Sequence, residues 1–277
     1  MPSLFSLRKS SSASSNPFRR SPQPAEPPPP YAQNGPVIAT GNNDNNDKPP
    51  AATKVPADPS DPYAALSRFD TVFLIDDSGS MYGSNWTQTL KALETLIPIC
   101  TDHDTNGVDI HFLNSPHRGT NVTKPAQLLS LFERTRPSGS TPTGKRLEAL
   151  LTAYIALYRR SRGEVKPLNI ICITDGEPSD PRRLEHAIVD CARELDKLGA
   201  DDRQVGVQFF QVGTDEGATE ALEELDNALV EEWGVRDMVD TISWKAMNGG
   251  RGLSGEGVLK AVMGAVDGKL DRKRRFN

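Results

Sequence analysis

From residue 70 onward, short apolar runs alternate with stretches of helical periodicity, and few architectures accept that pattern. Thr71-Val72-Phe73-Leu74-Ile75 and Leu168–Ile173 are near-continuous apolar runs, as expected of parallel strands covered on both faces. Val108–Leu113, Val205–Val212 and residues 237–242 are further strand candidates. Helical spacing appears at 86–100, where Leu90, Leu93, Leu96 and Ile97 recur, and at 125–134, 145–160, 217–232 and 254–267. Another helix starts near Pro181, with Asp180 as its N-cap; Ser254 caps the last one. Strands alternating with helices of this length form βαβ units. The expected fold is therefore α/β, a Rossmann-like doubly wound, mostly parallel sheet with helices on both faces.

Nothing of this kind is written in residues 1–60. They hold 13 of the chain's 22 prolines, with abundant Ser, Asn and Ala and few aromatic residues. Such a segment cannot bury enough apolar surface to offset its ordering entropy, so a disordered tail is expected over 1–60 and a folded domain over 61–277. The tail carries six Lys/Arg and four Asp/Glu, which leaves the body 26 and 33 of the chain's 32 and 37, a net −7. An acidic body without a basic face argues against nucleic-acid binding. No apolar run approaches the length of a membrane span. Cys100, Cys172 and Cys191 have no short spacing and lie in apolar or helical contexts. They read as buried free thiols in a reducing compartment, not as a disulfide or zinc framework. No secretory signal is evident, so the reading is cytoplasmic, and the sequons at Asn85 and Asn121 are accidental. A mitochondrial presequence in residues 1–20 and nuclear import through Lys269–Arg275 are the alternatives.

In open α/β sheets ligands bind beyond the carboxyl ends of the strands. Three loops qualify here: Asp76-Asp77-Ser78-Gly79-Ser80-Met81 after the first strand, Thr174-Asp175-Gly176 after the third, and Ser138–Gly144 before the long helix. All three offer carboxylate and hydroxyl oxygens and no soft sulfur. Asp76, Ser78 and Ser80, at spacing two, can turn toward one point, and Thr141 and Asp175 add oxygens from neighbouring loops. Such a donor set suits Mg²⁺, and Mn²⁺ equally. The plainer account is that Ser, Asp, Gly and Thr are ordinary turn formers and caps. It is fair for one residue and strained for five together. Strand alternation turns Asp77 away from Asp76, and Glu177 reads as a solvated loop carboxylate.

On these residues the chain resembles the von Willebrand factor A (VWA) domain with its metal-ion-dependent adhesion site, over about residues 65–270. The resemblance implies that Asp76, Ser78 and Ser80 form the first ligand loop, that Thr141 is the second-loop threonine and that Asp175 is the third-loop aspartate. It further implies a binding module, not an enzyme, in which an exposed Glu or Asp of a protein partner completes the cation's coordination.

Rival chemistries are weaker. Gly139–Arg146 follows a Walker A loop as far as Lys145, but has Arg146 where Ser or Thr is needed and no strand before it. Gly250–Gly255 matches a dinucleotide fingerprint, yet no strand follows its helix. A Mg²⁺-dependent hydrolase or phosphatase using Asp76 is the alternative function. It lacks a second catalytic group, since no His follows a strand end near these loops. In the tail, Pro28-Pro29-Pro30-Tyr31 fits the Pro-Pro-x-Tyr pattern and resembles ligands of WW domains, including those of ubiquitin ligases. A proline run is already extended before docking, which lowers the entropy lost on binding.

Overall fold

The structure, a computed structural model, describes residues 63–104, 106–213 and 215–242. The tail 1–60 with Pro28, Pro29 and Tyr31, the helix expected at 254–267 and the basic stretch Lys269–Arg275 lie outside the described residues.

Strands β1 (Asp70–Ile75), β2 (Val108–Phe112), β3 (Arg118–Val122), β4 (Leu168–Thr174), β5 (Val205–Gln211) and β6 (Val239–Ile242) form one sheet in the order β3-β2-β1-β4-β5-β6. All pairs are parallel except β2 with β3. The helices are α1 (Ser84–His103), α2 (Pro125–Arg134), α3 (Thr143–Arg160), α4 (Pro181–Lys197) and α5 (Glu216–Glu231). The expected mostly parallel sheet with helices on both faces is what forms.

Side chains of β1 alternate across the sheet, as the pleat requires. Phe73 and Ile75 join Leu93, Leu96 and Ile97 of α1 and Leu128 of α2 in one core. Val72 and Leu74 join Leu147, Leu150 and Leu151 of α3 and Leu184 and Ile188 of α4 in the other. Both residue sets of β1 are thus buried, which is why its sequence reads as an unbroken apolar run.

α3 and α4 approach closely because Gly144 has no side chain. A Cβ there would lie 2.4 Å from the Leu184 backbone nitrogen. Asp180 exploits the same contact. It occupies the N-cap position of α4, as expected, but its carboxylate does not cap its own helix. Instead Oδ1 accepts from the Gly144 amide at 2.9 Å and Oδ2 from the Lys145 amide at 2.7 Å, capping α3. The sequence expectation names the right residue and the wrong helix. Sequence-local rules cannot see a neighbour 36 residues away.

β3 is absent from the sequence reading. Its residues, Arg-Gly-Thr-Asn-Val, are mostly polar and its burial is sparse, so it lacks the apolar signature of the other strands. Among the described residues it is an edge strand, paired with β2 alone. Its register with β2 is irregular between Val108 and Ile110, and Asn121 takes φ 53°.

Candidate metal centre

β1 pairs with β2 on one side and with β4 on the other, so strand order reverses at the β1–β4 junction. That is where a crevice opens beyond the strand ends. Asp76 is the first residue after β1 and Asp175 the first after β4. The ladder continues one step past β1, with the Asp76 amide donating to the Ile173 carbonyl at 2.8 Å. This fixes where both carboxylates start.

Asp76 is fully buried and Asp175 nearly so. Asp76 Oδ1 accepts from the Ser78 amide at 2.8 Å, and Oδ2 accepts from Thr174 Oγ1 at 2.6 Å. Ser80 Oγ donates to Asp175 Oδ1 at 2.8 Å, and Asn85 Nδ2 donates to Asp175 Oδ2 at 2.9 Å. Ser78 Oγ and Ser80 Oγ are 3.0 Å apart. The two hydroxyls thus stand within hydrogen-bond distance of each other, with Ser80 also bonded to Asp175. Four of the five expected residues therefore meet: Asp76, Ser78, Ser80 and Asp175 sit in one hydrogen-bonded cluster.

Thr141 lies in the adjoining loop. Its side chain is buried, its carbonyl accepts from the Ser179 amide at 2.9 Å, and its hydroxyl has no hydrogen bond to the other four. The loop itself is tied to the first: Gly79 N–H donates to the Gly139 carbonyl at 3.1 Å, and Ser138 N–H to the Asp77 carbonyl at 2.7 Å.

Asp77 points elsewhere, as alternation demands. Its carboxylate accepts from the amides of Asn114 at 2.7 Å and Ser115 at 2.8 Å in the loop after β2. It fastens three loops together and has no bond to Asp76. Glu177 is exposed, and a Cβ on Gly217 would come 2.6 Å from its Oε1, so it lies over the first turn of α5. A carboxylate is favoured at such an amino end. One detail differs from the sequence reading. His117 does follow β2, within the loop that Asp77 holds, where its Nδ1 lies 3.2 Å from Thr135 Oγ1. No hydrogen bond joins it to Asp76.

Asn85 is a neighbour of the cluster that the sequence reading passes over, as a chance sequon. Thr174, expected in the loop after the third strand, is instead the last residue of β4 and holds Asp76 from there. The only signal for Asn85 is that it stands five residues after Ser80.

Electrostatics mark the cluster. Burial, partly opposed by the Thr174 and Ser78 hydrogen bonds, raises the Asp76 pKa, and the Asp175 charge raises it further. Two carboxylates are thus held close, and among the described residues no positive side chain is bonded to either. Among the described residues no three His, Cys, Asp or Glu side chains form a metal-holding group. The cluster contains just two carboxylates, with hydroxyls supplying the rest. Oxygen-only donors of this kind fit a hard divalent cation, whose charge offsets the repulsion between the two acids.

The von Willebrand factor type A domain profile matches residues 70–233, more than half of the chain. The chain belongs to the von Willebrand factor type A family. The A domain thus spans every described strand but β6, and all five expected ligand positions. Among solved structures, the A domain is similar to the manganese-loaded TRAP protein of Plasmodium vivax, at 18% identity and a TM-score of 0.40. That alignment covers 65% of this chain and 70% of the other. No curated protein matches the chain.

Proposed function

We propose that this A domain is a cytoplasmic, metal-dependent protein-binding module that captures an exposed Glu or Asp of a partner through a bound divalent cation. The observation that carries the reading is the meeting of Asp76 and Asp175 through Ser78 and Ser80 at the strand-order reversal. Asp76, Ser78, Ser80, Thr141 and Asp175 are the residues that would hold Mg²⁺ or Mn²⁺, which supplies an electrophilic point for a carboxylate. The protein's own contribution is orientation. Thr174 and the Ser78 amide hold Asp76, while Ser80 and Asn85 hold Asp175. Each carboxylate oxygen already accepts one protein hydrogen bond, which favours contact with a cation through water and leaves its charge poorly neutralised. A visiting acid then gains more from it.

The tail motif at Pro28, Pro29 and Tyr31 supplies a second contact, to a WW-domain ubiquitin ligase, so that the chain serves as an adaptor. Partners are proteins; neither nucleic acid nor a membrane is part of this reading. Among the described residues no helix is long and apolar enough to cross a membrane.

The test is thermal. Mg²⁺ at a hundredfold over its dissociation constant should stabilise the protein by about 2.7 kcal/mol. Asp76→Ala should abolish the rise in melting temperature while phosphatase and ATPase assays stay blank. Turnover that disappears in Asp76→Ala would point to hydrolysis instead.

A further inference from the structure

The surface around the candidate metal centre is unevenly charged, and two glycines fix where the charge sits. On the β4 side Gly176 follows Asp175, and a Cβ on it would stand 4.0 Å from Ser80 Oγ. The next residue, Glu177, is exposed. Two peptide steps keep its Cα within about 7.6 Å of that of Asp175. On the β5 side Gly213 takes φ 78°, and a Cβ on it would stand 3.1 Å from Asn85 Nδ2, the nitrogen that donates to Asp175. Both strand ends thus abut residues of the centre.

The acids of this flank converge. A Cβ on Gly217, in the first turn of α5, would stand 2.6 Å from Glu177 Oε1 and 3.3 Å from Asp215 Oδ1. Asp215 is exposed as well, and its Oδ1 accepts from the Ala218 amide at 3.0 Å. The amino end of α5 favours both charges there. Among the described residues no Lys or Arg forms an ion pair with either. Arg183, in the first turn of α4, is turned to Glu148 of α3.

The opposite flank carries the other sign. Residues 135–142, tied to the β1 loop through Ser138 and Gly139, hold one charged residue, the exposed Arg136. The rim is therefore polarised across the centre. A lone carboxylate approaching the cation meets Glu177 at a separation comparable to the screening length of physiological salt, about 8 Å, so that repulsion is felt. A base on the same segment turns it into attraction. An extended chain advances about 3.3 Å per residue, which brings a side chain one to three residues from the acid over Glu177.

We infer that the partner presents a segment of mixed charge: an Asp or Glu at the cation, and a Lys or Arg one to three residues away over Glu177 and Asp215. Glu177 is the residue that selects the base. This rests on the metal-dependent reading above and narrows the class of partner it takes. Wholly acidic segments, which a bare cation would accept, are turned away by like charge. Rim charges of this kind act on encounter rate and choice of partner more than on final affinity.

The test pans a displayed peptide library, with one fixed Asp and randomised flanks, on the immobilised full chain in Mg²⁺ and elutes with EDTA. Eluted peptides should be enriched several-fold in Lys or Arg within three residues of the Asp, on one side of it, and the bias should fade as salt is raised. Glu177→Gln should flatten the bias, and Glu177→Lys should reverse it toward Asp and Glu. Glu164→Lys makes the same charge change on an exposed residue of the loop leading into β4, at the opposite end of the sheet, and should keep the wild-type preference. Peptides without a basic bias, a bias that survives Glu177→Lys, or one lost equally in Glu164→Lys each overturn the selection by Glu177. If no peptide is released by EDTA from the wild type, the metal-dependent reading itself has failed and the selection falls with it.

Discussion

Ser80 Oγ donates to Asp175 Oδ1 at 2.8 Å across 95 residues of sequence. One short hydroxyl thereby joins the loop after β1 to the loop after β4. Asn85 completes the clamp from the first turn of α1. Asp175 is thus held from two sides before any ligand arrives, and that preorganisation can be tested directly.

Replacing Asn85 with Asp puts a third carboxylate against Asp175. The metal-free protein should lose about 1–2 kcal/mol, from a lost charge-assisted hydrogen bond and added repulsion. Added Mg²⁺ should then raise its melting temperature by more than it raises that of the wild type. Equal apo melting temperatures for the two proteins would remove Asn85 from the account.

The junction of α3 and α4 makes a second prediction. Asp180→Ala removes acceptors for two amides of the first turn of α3 and should cost about 1–2 kcal/mol. Gly144→Ala should cost more, because the obstacle is the α4 backbone and not the end of a flexible side chain. Denaturant midpoints for the two variants, measured side by side, check the order.

Asn169 is the second residue of β4, almost fully buried, and neither its side-chain nitrogen nor its oxygen has a partner among the described residues. An unpaired buried amide costs roughly 1–3 kcal/mol. Asn169→Leu should therefore stabilise the domain, against the usual run of core substitutions. A lower melting temperature for this variant would mean that the amide serves some purpose worth its cost.

His111 contributes to the pH dependence of stability on the acid side. Burial, and then the charges of Arg146 and Arg118, push its pKa down to about 4. The unfolded value is near 6.5, so between these pH values the unfolded chain binds the proton and the folded one does not. Stability from this group is complete above about pH 6.5 and is lost as pH falls toward 4, a loss on the order of 3 kcal/mol. His111→Gln should flatten the stability profile across that window, as read by urea unfolding at stepped pH.

Legibility tracked burial and proximity in sequence. Strands β1 and β4 were readable because both of their faces are covered, which writes an unbroken apolar run. The ligand candidates were readable because Asp76, Ser78 and Ser80 share one loop and Asp175 follows a readable strand. What could not be read were relationships set by the third dimension. These include Asp180 capping a foreign helix, Asn85 reaching Asp175, and Asp77 fastening the loop at 114–115. β3 escaped for the opposite reason. Its exposed edge demands so little of its residues that no pattern survives.

That edge has a consequence of its own. A regular, unpaired strand border invites another chain to add itself as the next strand. Here the border carries Arg118, loses step with β2 near Val108, and bends at Asn121, whose amide is fixed by Asp109 Oδ1 at 2.9 Å. A flat extended chain laid alongside would find charge and interrupted spacing. At this border the domain resists growth into larger sheets.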